Sequence, residues 1–365
     1  ARSISSSLMN FQERYGLLDR FLYRIAFRGG TAQHAMADVE EMMYENTLES
    51  VSVDDPVFIS SRPRAGTTIL LKLLWNTGHF ASHTYQDMPF VLCPLLWNQF
   101  SSQFAEEDVA HERTHGDGIE VSGTSPEAFE DMVWKHFWPD HYRADHIRPW
   151  TSDDDDREFN AFFDAHMRKV IAVRRDERPE AERYLSKNNL NIARLAAPPA
   201  PLREGTFLVP FRDPVQQAAS MYRQHERFLE IHEDDDFVRE YMEAIGHHEF
   251  GKGLRPVNFD GWLADAPDPS DLAFWVEYWV AAYRHVLEHA GDGTVLVSYA
   301  RLTEEPAESL GRLSDLLDVP EADLVSQAEQ LRPPRTHSVD RATLPDALQQ
   351  EATTIYEQLD RQASL

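Results

Sequence analysis

Twice along this chain, a short apolar run leads into an arginine-containing loop and then into a helical pattern. The first unit joins the run at 57–59 to "RPRAGTT" at 62–68 and to "ILLKLLWNTG", which ends on a stop signal at Asn76-Thr77-Gly78. The second joins a strand at 206–211 to "FRDP" and to a helix with Pro214 in its first turn. Strands that alternate with helices predict a parallel sheet covered by helices on its faces.

Two further runs complete the predicted sheet. A weaker strand is expected at 182–188, and another at 293–302 follows the helical pattern "DLAFWVEYWVAAYRHVLEHAG". The predicted fold class is α/β: a P-loop-containing three-layer fold with a central, mostly parallel sheet flanked by helices, plus helical insertions that form a lid. We expect an amphipathic helix over 8–48 within an N-terminal segment 1–50, a main domain 51–340 with insertions at about 100–165 and 226–270, and a C-terminal helix within 341–365.

The charge of the chain restricts its partners. With 62 acidic and 35 basic residues, the net charge is −27, so a nucleic-acid backbone is not an expected partner. Any anionic ligand must then be held by a local basic pocket. The acidic runs at 152–156 and 233–236 are interpreted as solvated surface, and a high-salt habitat remains an open explanation.

The scarcity of cysteine and of long apolar runs indicates the cell compartment and restricts the class of cofactor. A single cysteine, Cys93, excludes an internal disulfide and a cysteine-cluster metal site. The longest apolar runs are too short for a membrane span, and the first residues lack the apolar centre of a signal peptide. We therefore expect a cytoplasmic protein without a metal. The sequence gives no indication of oligomeric state.

The first loop has the features of an anion-binding turn. Backbone N–H groups before a helix, with Gly66 for close approach and the Thr67 hydroxyl as a donor, form an anion nest. A nucleotide-triphosphate P-loop reads G-x-x-x-x-G-K-[ST], but here Ser61 replaces the first glycine and Thr67 the lysine. The cation is instead Arg64. A glycine turn without a catalytic role is the alternative.

The second loop supplies a matching pair of polar groups. Arg212 stands at the end of the predicted strand, and Ser220 follows eight residues later, about two turns into the helix. An arginine with a hydroxyl is a suitable clamp for a second phosphate. The alternative is a surface pair between Arg212 and Asp213, with Ser220 as a small packing residue.

Together the two loops resemble those of sulfotransferases that use 3'-phosphoadenosine 5'-phosphosulfate (PAPS). That family has a P-[KR]-[SA]-G-T-T loop and a later R-[DN]-P…S element, which "RPRAGTT" and "FRDPVQQAAS" match in order and offset. "YLSKNNLN" at 184–191 resembles its K-x-P-x-N segment with Asn189 for proline, and "YARLTEEP" at 299–306 its Y-E-x-L-x-x-x-P segment with Ala300 for glutamate. The resemblance covers about 55–330, and arginine in the first loop is typical of the bacterial and tyrosylprotein types.

The resemblance implies a role for each loop. In the family, the first loop binds the 5'-phosphosulfate and the second the 3'-phosphate, without Mg²⁺, and the sulfonyl group passes in line to an acceptor. Arg64 would stabilise the departing phosphate. The residues that would bind PAPS are Arg62, Arg64, Ala65, Gly66, Thr67, Thr68, Arg212 and Ser220. The family's C-terminal phosphate element has no clean match, and Arg332 or Arg335 is expected to substitute. The expected acceptor is a small molecule or a carbohydrate, its identity open, and Ile69 stands where cytosolic members stack tryptophan on adenine.

A proton acceptor is the least determined part of the predicted site. The segment "NTGHFASHTYQDMPF" follows the first helix, and its one carboxylate is Asp87, which the family's glutamate-type members make the first candidate. His83 is the second candidate, with His111 or His115 in reserve. The alternative is that Asp87 caps a helix beginning at Met88-Pro89.

Two other functional classes remain open. A P-loop kinase or hydrolase would need the missing lysine and a strand aspartate for Mg²⁺, whereas a non-catalytic interaction protein would keep the fold without transfer. His111 and His115 have the i, i+4 spacing of metal ligands but no third ligand, so no metal site is predicted. Tight binding of adenosine 3',5'-bisphosphate would favour the sulfotransferase, and dependence on Mg·ATP the kinase.

Overall fold

A computed structural model describes residues 30–101, 111–112, 120–121 and 124–365 of the chain, with side chains described for 30–100 and 124–365. Residues 8–29 of the predicted N-terminal helix lie outside the described residues. From residue 30 onward, the predicted single helix is two helices, one ending at Met43 and the next beginning at Glu45, with Tyr44 between them.

Five parallel strands form the central sheet. In chain order, the strands are β1 (Val57–Ile59), β2 (Phe80–Ala81), β3 (His111–Glu112), β4 (Glu120–Val121), β5 (Arg183–Lys187), β6 (Thr206–Phe211) and β7 (Thr294–Ser298). The sheet has the order β2-β5-β1-β6-β7, and every pair in it is parallel. β3 and β4 form a separate antiparallel pair inside a stretch that the sequence pattern predicted to be helical.

Helices connect the strands. They are α1 (Gly30–Met43), α2 (Glu45–Glu49), α3 (Thr67–Asn76), α4 (Pro94–Ser101), α5 (Asp131–Phe137), α6 (Arg157–Arg175), α7 (Ala200–Arg203), α8 (Pro214–Asp234), α9 (Asp236–Ala244), α10 (Leu272–His289), α11 (Tyr299–Glu304), α12 (Pro306–Leu317), α13 (Glu321–Val325) and α14 (Asp346–Gln362). Among the described residues, no helix has the length and apolar character needed to cross a bilayer.

Each face of the sheet has its own core, which confirms the predicted three-layer α/β fold. Phe58 and Phe207 point to one face and pack in a cluster with residues of α6, α8 and α10. Val57, Ile59 and Leu208 point to the other face and pack with residues of α3 and α12. Because side chains alternate along a strand, burial on both faces explains why these strands are continuous apolar runs.

One strand prediction was too long. The pattern "GTVLVSYARL" predicted a strand to residue 302, but β7 ends at Ser298 and α11 begins at Tyr299. The Thr303 hydroxyl donates to the Tyr299 carbonyl 2.9 Å away, an i−4 contact that only a helical turn permits. Hydrophobic alternation alone does not detect such a change.

The acidic runs are partly structural, a role that the sequence did not reveal. Asp156 caps α6 by accepting from the N–H groups of Glu158 and Phe159 at 2.8 and 3.0 Å. Asp235 caps α9 by accepting from the Phe237 N–H at 3.0 Å. A carboxylate at a helix start accepts hydrogen bonds from N–H groups that have no partner within the helix, and its negative charge interacts favourably with the helix dipole. These two aspartates therefore mark where α6 and α9 begin.

Candidate functional site

The carboxyl ends of the five parallel strands gather at one edge of the sheet, where α/β folds bind ligands. β1 leads there into the loop of Arg64, and β6 leads into Arg212. β7 leads into Tyr299, while β5 ends at Lys187. The fold therefore brings both sequence-predicted loops to the same edge on neighbouring strands.

The glycine loop is shaped by two left-handed residues. Arg64 has φ = 70° and Gly66 has φ = 104°. A Cβ atom on Gly66 would lie 2.4 Å from the ring of Tyr299, so a side chain at this position is excluded by space as well as by backbone conformation. The glycine thus permits the first residue of α11 to pack directly on the loop.

A serine anchors the loop where a nucleotide-triphosphate P-loop has its first glycine. The Ser61 hydroxyl donates to the Pro210 carbonyl at 2.5 Å and lies 2.7 Å from the Tyr283 hydroxyl. Ser61 is fully buried. The substitution therefore ties the start of the loop to β6 and α10.

The two predicted loops meet through their own side chains. Arg64 Nε donates to Ser220 Oγ at 3.1 Å, and Arg212 Nη1 donates to the Arg64 carbonyl at 2.8 Å. One turn earlier in α8, Gln217 Nε2 donates to the carbonyls of Arg62 and Pro63 at 3.2 and 3.0 Å. The eight-residue offset between Arg212 and Ser220 places both side chains on the glycine loop.

Asp213 has a role of its own beside this contact. It caps α8 by accepting from the Gln216 N–H at 2.8 Å and lies 3.5 Å from Arg341. The alternative expectation of an Arg212–Asp213 surface pair is therefore wrong: the guanidinium turns to the glycine loop, and the carboxylate turns to the helix start.

A local basic cluster surrounds the meeting point. Burial lowers the pKa of Arg212, and repulsion from Arg64 lowers it further. Burial also lowers the pKa of His337, and nearby arginine charges add to this effect. These charges belong to Arg223, Arg212, Arg64 and Arg335. Four arginines therefore act on one residue in a chain whose net charge is −27, and an anion site in this chain requires such a local group of cations.

The segment that carries Arg335 is fixed over the start of α8. His337 and Gln216 exchange two hydrogen bonds, with the His337 N–H donating to Oε1 at 2.6 Å and Gln216 Nε2 donating to the His337 carbonyl at 3.2 Å. Arg335 and Arg332 are both exposed, and the Arg332 carbonyl accepts from the Tyr299 hydroxyl at 3.4 Å. This segment brings positive charge to the edge from a distant part of the sequence.

The other predicted residues of the glycine loop differ in exposure. The Arg62 guanidinium stacks 3.7 Å above the Tyr278 ring, and the residue is 1% exposed. Ala65 and Thr67 are buried, whereas Arg64 and Thr68 are half-buried. Arg62 is therefore buried against a neutral ring and its role in binding stays a prediction, whereas the half-buried cation of the loop is Arg64.

Asp87 lies in a buried chain of polar groups. Its Oδ1 accepts from Arg174 Nη2, and its Oδ2 lies 3.0 Å from both His83 Nδ1 and the Thr84 N–H. Burial raises the pKa of Asp87, but attraction by Arg174 and the bond to His83 outweigh it and hold the pKa well below its usual range. Asp87 ends a 3₁₀ turn, Tyr85–Asp87, and the next α-helix begins at Pro94, so the alternative that Asp87 caps a helix beginning at Met88-Pro89 is wrong. Its role as a base stays a prediction.

The candidate histidines are engaged or lie outside the described side chains. His83 contacts Asp87 with one ring nitrogen and His166 with the other, at 2.9 Å, and it is 3% exposed. His111 is described only as part of β3, and His115 lies outside the described residues. Within the described ranges, no cluster of metal-ligating side chains occurs.

One side-chain group at this edge was missed by the sequence reasoning. Lys187 ends β5 beside Ile59, and its Nζ lies 3.8 Å from Glu127 Oε1. Glu127 Oε2 accepts from the Tyr85 hydroxyl at 2.6 Å. Lys187 stands in a quoted motif segment, but Glu127 belongs to no local pattern, and its partners are distant in sequence.

Comparison with known proteins identifies similar solved structures only. No protein-family model matches the chain, and no curated protein matches it. A sulfotransferase from Mycobacterium avium is 14% identical with a TM-score of 0.48, over 89% of this chain and 81% of that one. A sulfotransferase from Mycobacterium tuberculosis H37Rv is 13% identical with a TM-score of 0.41, over 98% and 91%. The sulfotransferase domain of the Synechococcus PCC 7002 olefin synthase is 14% identical with a TM-score of 0.38, over 86% and 96%.

Proposed function

We propose that this protein is a sulfotransferase that moves the sulfonyl group of PAPS to an acceptor hydroxyl. The observation that carries the proposal is the contact between the two predicted loops, in which Arg64 bonds to Ser220 and Arg212 to the Arg64 carbonyl. The sequence motifs assign one anion to each loop. Their joining at one strand edge supports a single ligand with an anionic group at each end.

The first loop suits the 5' side of such a ligand. Its N–H groups precede α3, whose positive dipole end favours an anion, and the Arg64 guanidinium stands in the same loop. In PAPS, the 5'-phosphate carries the sulfonyl group. This phosphate is the leaving group, and it gains negative charge as its bond to sulfur breaks. Arg64 is charged at every working pH, so its contribution is electrostatic and not proton donation.

The second loop suits the 3'-phosphate. Arg212, in the loop after β6, and Ser220, about two turns into α8, offer a charged and a hydroxyl donor. Arg223 and Arg335 add positive charge near His337, and Arg335 is the proposed substitute for the family's C-terminal phosphate element. The proposed acceptor is a small molecule or carbohydrate, and the reaction is proposed to need no metal.

The decisive experiment is calorimetric titration of the purified chain with adenosine 3',5'-bisphosphate, with and without Mg²⁺, followed by transfer assays with sulfur-labelled PAPS. We expect tight, Mg²⁺-independent binding and transfer of label to at least one hydroxyl compound. Binding that requires Mg²⁺ and prefers ATP would indicate the kinase instead. Binding without transfer to any acceptor class would indicate a non-catalytic interaction protein.

The proposal extends to organisation and location. We propose 51–340 as the sulfotransferase domain, with lid insertions at about 100–165 and 226–270, an N-terminal helical segment 1–50 packed on it and a C-terminal helix within 341–365. In support, α14 packs against α10, and Lys169 of α6 forms a buried 3.2 Å ion pair with Glu40 of α1. A cytoplasmic location is proposed as well, and cell fractionation tests it.

A further inference from the structure

We propose that Glu127 is the group that takes the proton from the acceptor hydroxyl, with Tyr85 and Lys187 as its positioning residues. This inference rests on the proposed sulfonyl transfer and specifies which side of the site receives the acceptor. Glu127 contacts both Tyr85 and Lys187 at the carboxyl end of β5, and none of these residues belongs to either loop motif.

The order of the strands separates two halves of the edge. The anion-binding groups follow β1, β6 and β7, which are consecutive in the sheet. Lys187 ends β5 and Tyr85 follows β2, and these two strands occupy the other side of β1. A ligand held by Arg64 and Arg212 would therefore fill one half of the edge, and an acceptor in line with the loop would approach from the half that holds Glu127.

Several contacts hold Glu127 in place at that half. Its backbone N–H donates to the His83 carbonyl at 2.9 Å, just after β2. Its Oε2 accepts from Tyr85, and its Oε1 accepts from the Ala128 N–H at 2.8 Å. The Lys187 ammonium lies 3.8 Å from Oε1, an ion-pair distance that is too long for a hydrogen bond, and it orients the carboxylate toward the end of β5.

Asp87, the carboxylate expected from the sequence, is less suited to this step. Its buried pairing with Arg174 holds its pKa well below the usual range, so it accepts a proton poorly. It also fixes α6 to the segment after β2 through the same guanidinium. Glu127 faces the end of β5, whereas Asp87 faces α6.

The acceptor oxygen forms a bond to sulfur while the bond between sulfur and the 5'-phosphate oxygen breaks. The phosphate oxygen keeps that electron pair, and Arg64 stabilises the charge. The acceptor proton passes to the Glu127 carboxylate and is later lost to water.

The neighbouring rings indicate which probes to use. Tyr85 packs edge-on to Phe129 at 5.5 Å between ring centres, and Trp97 donates to the Gln86 carbonyl at 2.9 Å. Trp97 also lies 4.8 Å from Phe90, and both are half-buried. These aromatic side chains suit an aromatic or apolar acceptor, so phenols are appropriate probes.

The test compares Glu127→Gln with the wild type on two phenols under saturating PAPS at mildly alkaline pH. A nitrophenol is already ionised there and needs no base, whereas unsubstituted phenol is protonated and needs one. General-base catalysis typically contributes about 10²–10⁴-fold. We expect Glu127→Gln to lower transfer to phenol by about 10²-fold or more, and transfer to the nitrophenol by less than about 10-fold.

Glu182→Gln is the matched control, because Glu182 precedes β5 at the opposite edge, is exposed, and pairs with Arg175 at 3.9 Å. It should leave both rates unchanged. An equal loss on both phenols, or no loss on phenol, overturns the assignment. So does a wild type that binds adenosine 3',5'-bisphosphate but transfers to neither phenol.

Binding of adenosine 3',5'-bisphosphate separates the two levels of the proposal. If neither the wild type nor Glu127→Gln binds it, the sulfotransferase proposal itself fails. If both bind it, the phenol comparison tests Glu127 alone. Should only the variant fail to bind, Glu127→Asp replaces it: this variant keeps a carboxylate and should transfer to phenol better than Glu127→Gln, and a rate no higher than that of Glu127→Gln overturns the assignment.

Discussion

The two sides of the strand edge use arginine in opposite ways. On the side of β1 and β6, Arg212 contacts a backbone carbonyl and lies 5.8 Å from the ring of Tyr299. On the side of β2, Arg174 is bound to the Asp87 carboxylate and is 2% exposed. An arginine whose charge is balanced by a buried carboxylate holds the fold together, whereas one held by neutral groups keeps its positive field for a ligand.

A second buried arginine follows the same rule as Arg174. Arg194 lies between the rings of Trp134 and Trp150, at 3.7 and 4.2 Å, and its Nη2 donates to Asp131 at 3.2 Å. Burial raises the pKa of Asp131, and Arg194 opposes that rise. The partner of an arginine, and not the number of arginines nearby, therefore separates a structural cation from a binding one.

The largest effect should come from breaking the structural pair. Arg174→Ala leaves the Asp87 charge buried without its main partner, so we expect the free energy of unfolding to fall by about 3–5 kcal/mol. Denaturant titration measures it. Arg175→Ala, the next residue of α6, is the control: its partner Glu182 is exposed, and the expected change is within about 1 kcal/mol. Similar losses in the two variants would mean that the burial of the pair between Arg174 and Asp87 adds nothing to stability.

Breaking the binding side should affect the reaction and leave the fold intact. Arg64→Ala should lower the rate of transfer by about 10²–10³, as for loss of one donor to a developing anion, with a smaller change in donor affinity. Turnover and bisphosphate binding are measured in parallel, and Arg64→Lys, which keeps the charge, should retain part of the rate. An unchanged turnover would exclude Arg64 from the reaction.

Arg212→Ala tests whether the second loop binds the 3'-phosphate of the nucleotide. Since a charge-assisted hydrogen bond contributes about 1.5–3 kcal/mol, the Kd for adenosine 3',5'-bisphosphate should rise about 10- to 100-fold. Adenosine 5'-phosphate, which lacks the 3'-phosphate, should lose much less affinity. Equal losses for the two nucleotides would argue against a 3'-phosphate role for the second loop.

Acid pH tests the same ion pair through its carboxylate partner, Asp87. Because the folded-state pKa of Asp87 lies below its ordinary value of 3.8, its contribution to stability is complete above that value and is lost as the pH falls through the folded-state pKa. The gap in Tm between the wild type and Asp87→Asn should therefore be widest near neutral pH and narrow below about pH 4. A gap that stays constant down to acid pH would mean that the ion pair contributes nothing.

The features that the sequence predicted correctly are those set by residues that are close together in the chain. The strands at 57–59 and 206–211, the stop of α3 after Asn76 and the start of α8 at Pro214 depend on residues within a few positions of one another. The meeting of the two loops could also be expected, because parallel strands end at one edge and Ser220 follows Arg212 by two turns.

What it missed depends on distant partners. Asp87 pairs with Arg174, which lies 87 positions later in the chain, and no sequence pattern around Asp87 indicates this pairing. Glu127 and Lys187 are separated in the same way. Asp156 belongs to an acidic run whose composition suggested only solvent exposure, while its position at the start of α6 gives it a specific role. Composition describes a segment, but tertiary contacts assign its members.

The carbonyls of the glycine loop have a further consequence for how a ligand is received. Those of Pro63 and Arg64 are turned toward Gln217 and Arg212. In a planar trans peptide, C=O and N–H point to opposite sides, so the Arg64 N–H is turned away from Gln217 and the Ala65 N–H is turned away from Arg212. With Ser61 fixed to Pro210, the loop needs little rearrangement on binding. The proposed anion would then lose little of its binding free energy to ordering the chain.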